Sequence, residues 1–313
     1  MTLRRLLLGV SAEHALEWFA WPVVAMLILS GCSESYRGER LFWKAQHATE
    51  TITKDPAKAT PEQAKQVLEA YRRVAEQVPG TMWGGRAMFS IGAFQGAREE
   101  YDDARKTFTS VLQDYNQYPP LCLRARIAIA KIYEAEHNWD EAVKMYRELA
   151  DQHPWTKAGM DVLLYVPATY EKRHESDAAN DAYERAVRIY TKLIPDAPSP
   201  ELAMQVKGYL VVAYQRLSNW DKAIALLQEL DQSPQANRPL VLLTLASIYQ
   251  TKLSNPGKAA QYYTELLEQC PDHQFAKVAK EQRDQLLGTG SAPAPGMPSH
   301  QDPPVVPQPG VTP

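Results

Sequence analysis

The pentapeptide Asn138-Trp139-Asp140-Glu141-Ala142 decides the architecture, because it recurs. Close copies are Glu100-Tyr101-Asp102-Asp103-Ala104 and Asn219-Trp220-Asp221-Lys222-Ala223. Weaker ones are Glu175-Ser176-Asp177-Ala178-Ala179 and Asn255-Pro256-Gly257-Lys258-Ala259. Each opens with a polar turn residue and places acidic groups, where it has them, beside the start of a helix, the end that favours negative charge. Counting from the final Ala, Phe108, Tyr146, Tyr183, Leu227 and Tyr263 stand four residues on, and Val111, Leu149, Ala186, Leu230 and Leu266 seven on. That i, i+4, i+7 set is one apolar helical face. Nine residues before the Ala stand Gln95, Tyr133, Tyr170 and Tyr214, with Tyr249 one further back. Gly92, Ala130, Pro167, Val211 and Ala246 precede these by three. The period predicts tandem antiparallel helix pairs in which small residues let the helices approach and aromatic rings fill the groove beside them.

This pattern resembles the tetratricopeptide repeat: a small residue, Tyr three later, Ala, an aromatic four later, then Ala or Leu and a closing Pro. Pro154 and Pro271 supply that Pro twelve residues after their Ala. The resemblance implies an all-α fold, a right-handed α-solenoid superhelix of five to six helix-turn-helix repeats in which no unit buries its face alone. Spacings between the Ala positions are 38, 37, 44 and 36 residues, longer than the family's 34, with the surplus at Pro-rich loops such as Pro195 to Pro200. Pro167 departs from the pattern at a packing position and is expected to kink its helix. A degenerate first unit is expected from Leu41, Phe42 and Ala45 on one helix and Val67, Tyr71, Val74 and Pro79 on the next. A capping helix is expected through Phe275, Val278, Leu286 and Leu287, so that the array covers 41–287.

Outside the array lie two segments of different character. Arg4 and Arg5 precede an apolar stretch from Trp18 to Leu29, which ends in Leu29-Ser30-Gly31-Cys32. The stretch is too short to span a bilayer, which takes ~20 apolar residues. Leu, two small residues and Cys after such a stretch resemble the bacterial lipobox. The resemblance implies a signal peptide over 1–31, acylation of Cys32, and a lipidated linker over 32–40. Ser33 after the Cys resembles an outer-membrane address facing the periplasm, if the host is Gram-negative. From Gly288 the composition changes: eight of the last 26 residues are Pro, four are Gly, and Asp302 alone is acidic or basic. Residues 288–313 are therefore expected to be an extended, disordered tail.

The chain carries 34 Lys and Arg against 37 Asp and Glu in 313 residues, a net charge of −3, so no nucleic-acid partner is expected. Apart from Cys32, Cys122 and Cys270 are expected to be separate buried thiols rather than a disulfide. No zinc spacing is present among the seven His, nor is any nucleophile elbow or phosphate loop. Gly80-Thr81-Met82-Trp83-Gly84-Gly85 reads as an inter-repeat loop, and His137 and His174 as exposed turn residues. No enzyme activity, metal, cofactor or small-molecule substrate is expected.

Binding is what the resemblance implies. Such arrays present positions two, five, nine and twelve of each first helix in a concave groove. On this chain the candidates are Arg86, Phe89, Arg124, Ile127, Lys131, Glu134, Glu171, Gln205, Gln215 and Gln250. The groove is expected to be basic and apolar towards the N-terminus and amide-rich further on. It lacks the Lys and Asn pattern that captures peptide C-termini. Lipobox and repeats together resemble the lipoprotein subunit of the β-barrel assembly machinery and the secretin pilotins. The expected function is a membrane-anchored adaptor docking envelope proteins. The alternatives are a structural spacer acting through the tail, or a cell-wall-binding module.

Overall fold

The computed structural model describes residues 34–234 and 236–288, and every regular element in them is helical. Helix α1 runs through residues 34–53. After a short 3-10 turn come α2 (Pro61–Gln77), α3 (Met82–Ala97), α4 (Tyr101–Asp114), α5 (Pro119–Ala135) and α6 (Trp139–Gln152). Then follow α7 (Lys157–Lys172), α8 (Ser176–Leu193), α9 (Pro200–Arg216), α10 (Trp220–Asp231), α11 (Arg238–Thr251), α12 (Pro256–Gln269) and α13 (Ala276–Leu286). Among the described residues, six hairpins and a terminal helix match the expected unit count. One boundary moves: 34–40, expected as linker, are part of α1. The signal peptide, Cys32 and all of the expected tail beyond Gly288 lie outside the described residues.

Two compact units divide within α6, one ending at Met145 and the other starting at Tyr146. In the first, α2 packs on α3, α3 on α4 and α4 on α5. Its core joins Ala45 of α1 to Val67, Tyr71, Val74, Ala87 and Ile91, and a second cluster gathers Phe108, Val111, Leu121 and Ile129. In the other unit the helices from α7 to α13 pack each on the next. One cluster there runs from Val211 through Leu242 and Leu245 to Ala279. The terminal helix does cap it: Phe275 and Leu286 pack on that cluster, whereas Val278 and Leu287, expected to pack, face solvent.

The repeat register holds residue by residue. Ala104, Ala142, Ala223 and Ala259 are wholly buried and Ala179 nearly so. The residues four and seven later are buried in all five units. The small residues on the first helix of each unit, Gly92, Ala130, Pro167, Val211 and Ala246, are buried too. Gly92 shows why they are small: a Cβ built there stands 2.9 Å from Phe108 Cε1, inside van der Waals contact. Pro167 is buried at the same position in α7, which runs through it without interruption. Its missing N–H costs the helix one hydrogen bond and leaves the packing face apolar.

Five of the six hairpins turn through one left-handed residue, a feature no motif announced; the first turns through the 3-10 segment Pro56–Lys58 instead. Glu99, His137, His174, Ser218 and Ser254 have φ between 50° and 62°, and every one stands five residues before its Ala. In the first four, the left-handed residue donates to the carbonyl three back: Gly96, Glu134, Glu171 and Gln215. The next residue reaches five back, as in Asn138 N–H to Tyr133 O at 2.8 Å. These are the paired bonds that close a helix and reverse the chain. The last turn is one residue longer, with Asn255 N–H bonding to Tyr249 O at 2.8 Å. Loops between hairpins work differently: all but the one before α5 use a side-chain cap, from Thr81, Thr156, Ser199 or Asn237. Thr81 and Thr156 each accept from the amide of a Gly three residues on, at 3.2 and 3.1 Å. Each also donates to the carbonyl three back, Val78 or His153. A Cβ on Gly84 or Gly159 would press into that same carbonyl at 2.5 or 2.0 Å. Residues 82–85, expected as loop, are therefore the first turn of α3.

Ala223→Trp should destabilise the chain by ~1–3 kcal/mol or more through overpacking, read as a lower urea midpoint. An unshifted midpoint would refute the register. His137→Gly should stabilise by ~0.5–1 kcal/mol, since Gly meets no steric cost in the left-handed region, and His137→Val should destabilise. Burial pushes the Tyr263 phenol up to about 12 from its ordinary 10. Its folded pKa is raised, so the stability it contributes is present below pH 10 and is lost as pH climbs from 10 to 12. Tyr263→Phe should make alkaline unfolding between those values shallower.

Candidate protein-binding surface

The first helix of each hairpin carries every candidate residue. In the unit ending at Met145, α3 touches α5 as well as the helix between them, so the two first helices share a face. Arg86 and Phe89 lie on α3, and Arg124, Ile127, Lys131 and Glu134 on α5. Phe89 is half-buried, its inner side against Phe108 at 5.2 Å. The Arg124 guanidinium, from the neighbouring first helix, lies over the same ring at 4.5 Å. Arg86 lies over Trp83 at 4.7 Å, and Trp83 leans on Phe42 of α1 at 5.6 Å. The result is a row of rings capped by cations, with Arg86, Arg124 and Lys131 exposed. Each exposed cation–ring contact is worth ~0.5–1 kcal/mol and holds the guanidinium over the ring. A guanidinium held over a ring keeps its edge N–H groups for a carboxylate or carbonyl.

Electrostatics one layer in are already satisfied. Arg105 of α4 bridges Asp102 and Glu136 and lies over Tyr133 at 5.2 Å, so it offers less to a partner. Arg98 closes α3 by donating to the carbonyls of Pro56 and Ala59 at 3.1 and 2.8 Å and pairing with Glu100. It pins the first hairpin's loop to the second hairpin.

The candidates of the unit starting at Tyr146 stand differently. There α7 also touches α9. Glu171 pairs with Arg216 of α9 at 3.7 Å, and burial together with the nearby Glu171 charge holds the Tyr183 phenol above its usual range. Gln205 is exposed. Gln215 is half-buried. Gln250 accepts from the Tyr263 hydroxyl at 2.7 Å and donates to Gln282 of α13 at 2.9 Å. Its amide serves the fold, whereas the sequence placed it in the groove. Cys122 and Cys270 are both free thiols, half-buried where burial was expected.

Two features escaped the sequence reading. Trp83 completes the cation-capped row, and its spacing three before Arg86 was the available signal. Asp161 is buried on α7, paired with Lys157 at 2.7 Å and bonded by the Tyr209 hydroxyl from α9. An acid inside the apolar run Met160 to Val166 was the signal there. Tyr209 in turn stacks on Tyr190, whose hydroxyl donates to the Met160 carbonyl at 2.7 Å. Asp161 is thus a packing bolt between α7 and α9. Among the described residues, no group of three or more His, Cys, Asp or Glu is placed to hold a metal.

Comparison with known proteins bears on the fold. Residues 95–154, from the end of α3 to Pro154, match the family model described as tetratricopeptide repeat. No curated protein sequence matches. Among solved structures, the chain is similar to a thermophilic TPR protein of Thermus thermophilus at 19% identity and TM-score 0.39, covering 65% of this chain and 98% of that one. It is also similar to BtubC of P. vanneervenii at 14% identity and TM-score 0.41, covering 80% and 98%. A tetratricopeptide repeat protein of Parabacteroides merdae aligns at 12% identity and TM-score 0.34, covering 79% and 99%. The family match takes in α4 and the α5–α6 hairpin, the hairpins around them repeat its spacing of small and aromatic residues, and the fold is an all-α array of tetratricopeptide-type repeats.

Proposed function

We propose that this protein is an adaptor held at a bacterial envelope membrane by acylated Cys32, and that the first-helix face of α3 and α5 docks an acidic segment of another envelope protein. The observation that carries the docking half is the row of Trp83, Arg86, Phe89 and Arg124, in which exposed cations lie on half-buried rings. Arg and large aromatics are the side chains that dominate protein interfaces. Lys131 extends the cationic surface. The anchoring half rests on Leu29-Ser30-Gly31-Cys32 and the apolar stretch before it. Two or more acyl chains give stable anchoring where one is marginal. Ser33 supports an outer-membrane address.

In-cell photocrosslinking from Lys131 and Gln215, followed by mass spectrometry, tests the docking. We expect one dominant envelope protein at Lys131, with capture lost in Arg124→Glu while the melting curve stays unchanged. Undiminished capture in Arg124→Glu, or no capture from the folded wild type, would sink the docking face.

A further inference from the structure

Helix α1 carries a surface that folding does not use. Its inner side enters the first core through Leu41, Phe42, Ala45 and Ile52. Thr49 is buried there too, with its hydroxyl bonded to the Ala45 carbonyl at 2.8 Å. On the opposite side a 3.6-residue period aligns Tyr36, Arg40, Trp43 and His47, all exposed. Tyr36 is 67% and Trp43 54% exposed, both among the most exposed large apolar side chains of the described residues. The Trp43 ring already stacks on His47 at 4.2 Å, so the stripe is ordered within the helix. Arg37 and Lys44 border it on one side, Glu39 and Gln46 on the other. Glu50, further along, is engaged with Lys54 at 3.2 Å. The stripe and its basic border therefore set three cations against Glu39.

We infer that this stripe lies in the headgroup zone of the phospholipid bilayer that holds Cys32, with α1 running along the membrane plane. The inference rests on the lipid-anchor reading. Tyr36 follows Cys32 by four residues, so the chain between them reaches ~14 Å at most. Trp43 stands ~10 Å further along the helix. A stripe tethered that close meets the surface as an intramolecular event, for which weak contacts suffice. Its chemistry suits that zone. Indole and phenol rings prefer the boundary between hydrocarbon and water, and Arg and Lys keep their stems low and their charges among anionic headgroups. The dry aliphatic centre of a protein interface is missing, since Ala48 is the one aliphatic residue at its edge. Two contacts, acyl chains and stripe, would hold the unit ending at Met145 in one attitude to the membrane, where acyl chains alone would let it swing.

The test is a benzophenone photocrosslinker placed at Trp43, or at Tyr36 as a second probe, in the full chain expressed in bacteria. Exposed Arg72 on α2 serves as the control position. Mass spectrometry reads the adduct and, in the same sample, the state of Cys32. We expect phospholipid adducts at positions 43 and 36, none at 72, and a fall to the level of position 72 when Arg40→Glu is added. Protein adducts or none at both stripe positions on a chain with acylated Cys32 would overturn the stripe and leave the anchor standing. Phospholipid adducts on a chain with unmodified Cys32 would uphold the stripe and overturn the anchor. Neither acylation nor phospholipid adducts would overturn both.

Discussion

Everything in this chain depends on how closely two helices approach at five alanines. A hairpin whose second helix carries Ala at the crossing brings its axis near enough for Phe108, Tyr183 or Tyr263 to fill the groove beside it. Gly92 shows how little room remains on the opposing helix. Hydrophobic burial supplies the free energy, but each pair of helices has two apolar sides and covers one. The other side must find the next pair, so stability is a property of the stack.

The turns keep that approach in register. In five of the six hairpins one residue accepts a left-handed conformation although none of the five is glycine. The conformational cost at each is of order 1 kcal/mol. It is offset by two backbone hydrogen bonds that close the first helix and by burial of the Ala five residues on. Caps do the corresponding work between hairpins. Thr81 and Thr156 tie the end of one helix to the start of the next, and the glycines behind them let the backbones touch. The fold thus alternates two kinds of joint, each built from residues that fit only its own geometry.

Such a frame leaves the outer sides of the first helices free to differ, and they differ along the chain. Towards the N-terminus the surface is cationic and aromatic, with Arg86 and Arg124 held over rings. Towards the C-terminus the polar side chains turn inward. Gln250 ties α11 to α12 and α13, Glu171 pairs α7 with α9, and Asp161 bolts α7 to α9. Residue types suited to partner binding on one unit stabilise helix contacts on the other. Their neighbours decide which.

Helix count, repeat register and the capping helix were legible in the sequence because they rest on spacing. A period of 3.6 residues and a small residue at a fixed offset are properties of the chain itself. The lipobox reading is likewise a matter of residue order, and it concerns residues the structure does not describe. The left-handed turn was hidden because Glu and Ser carry no signal for positive φ and His carries a much weaker one than Gly. The fate of each groove residue was hidden for another reason. Whether Gln250 faces a partner or Gln282 depends on side chains 13 and 32 residues away along the chain, brought within hydrogen-bond reach only by packing. Sequence determined which residues share a helix face; tertiary structure decided which of them were already bonded, because hydrogen bonds and ring stacks form between residues that spacing alone does not bring together.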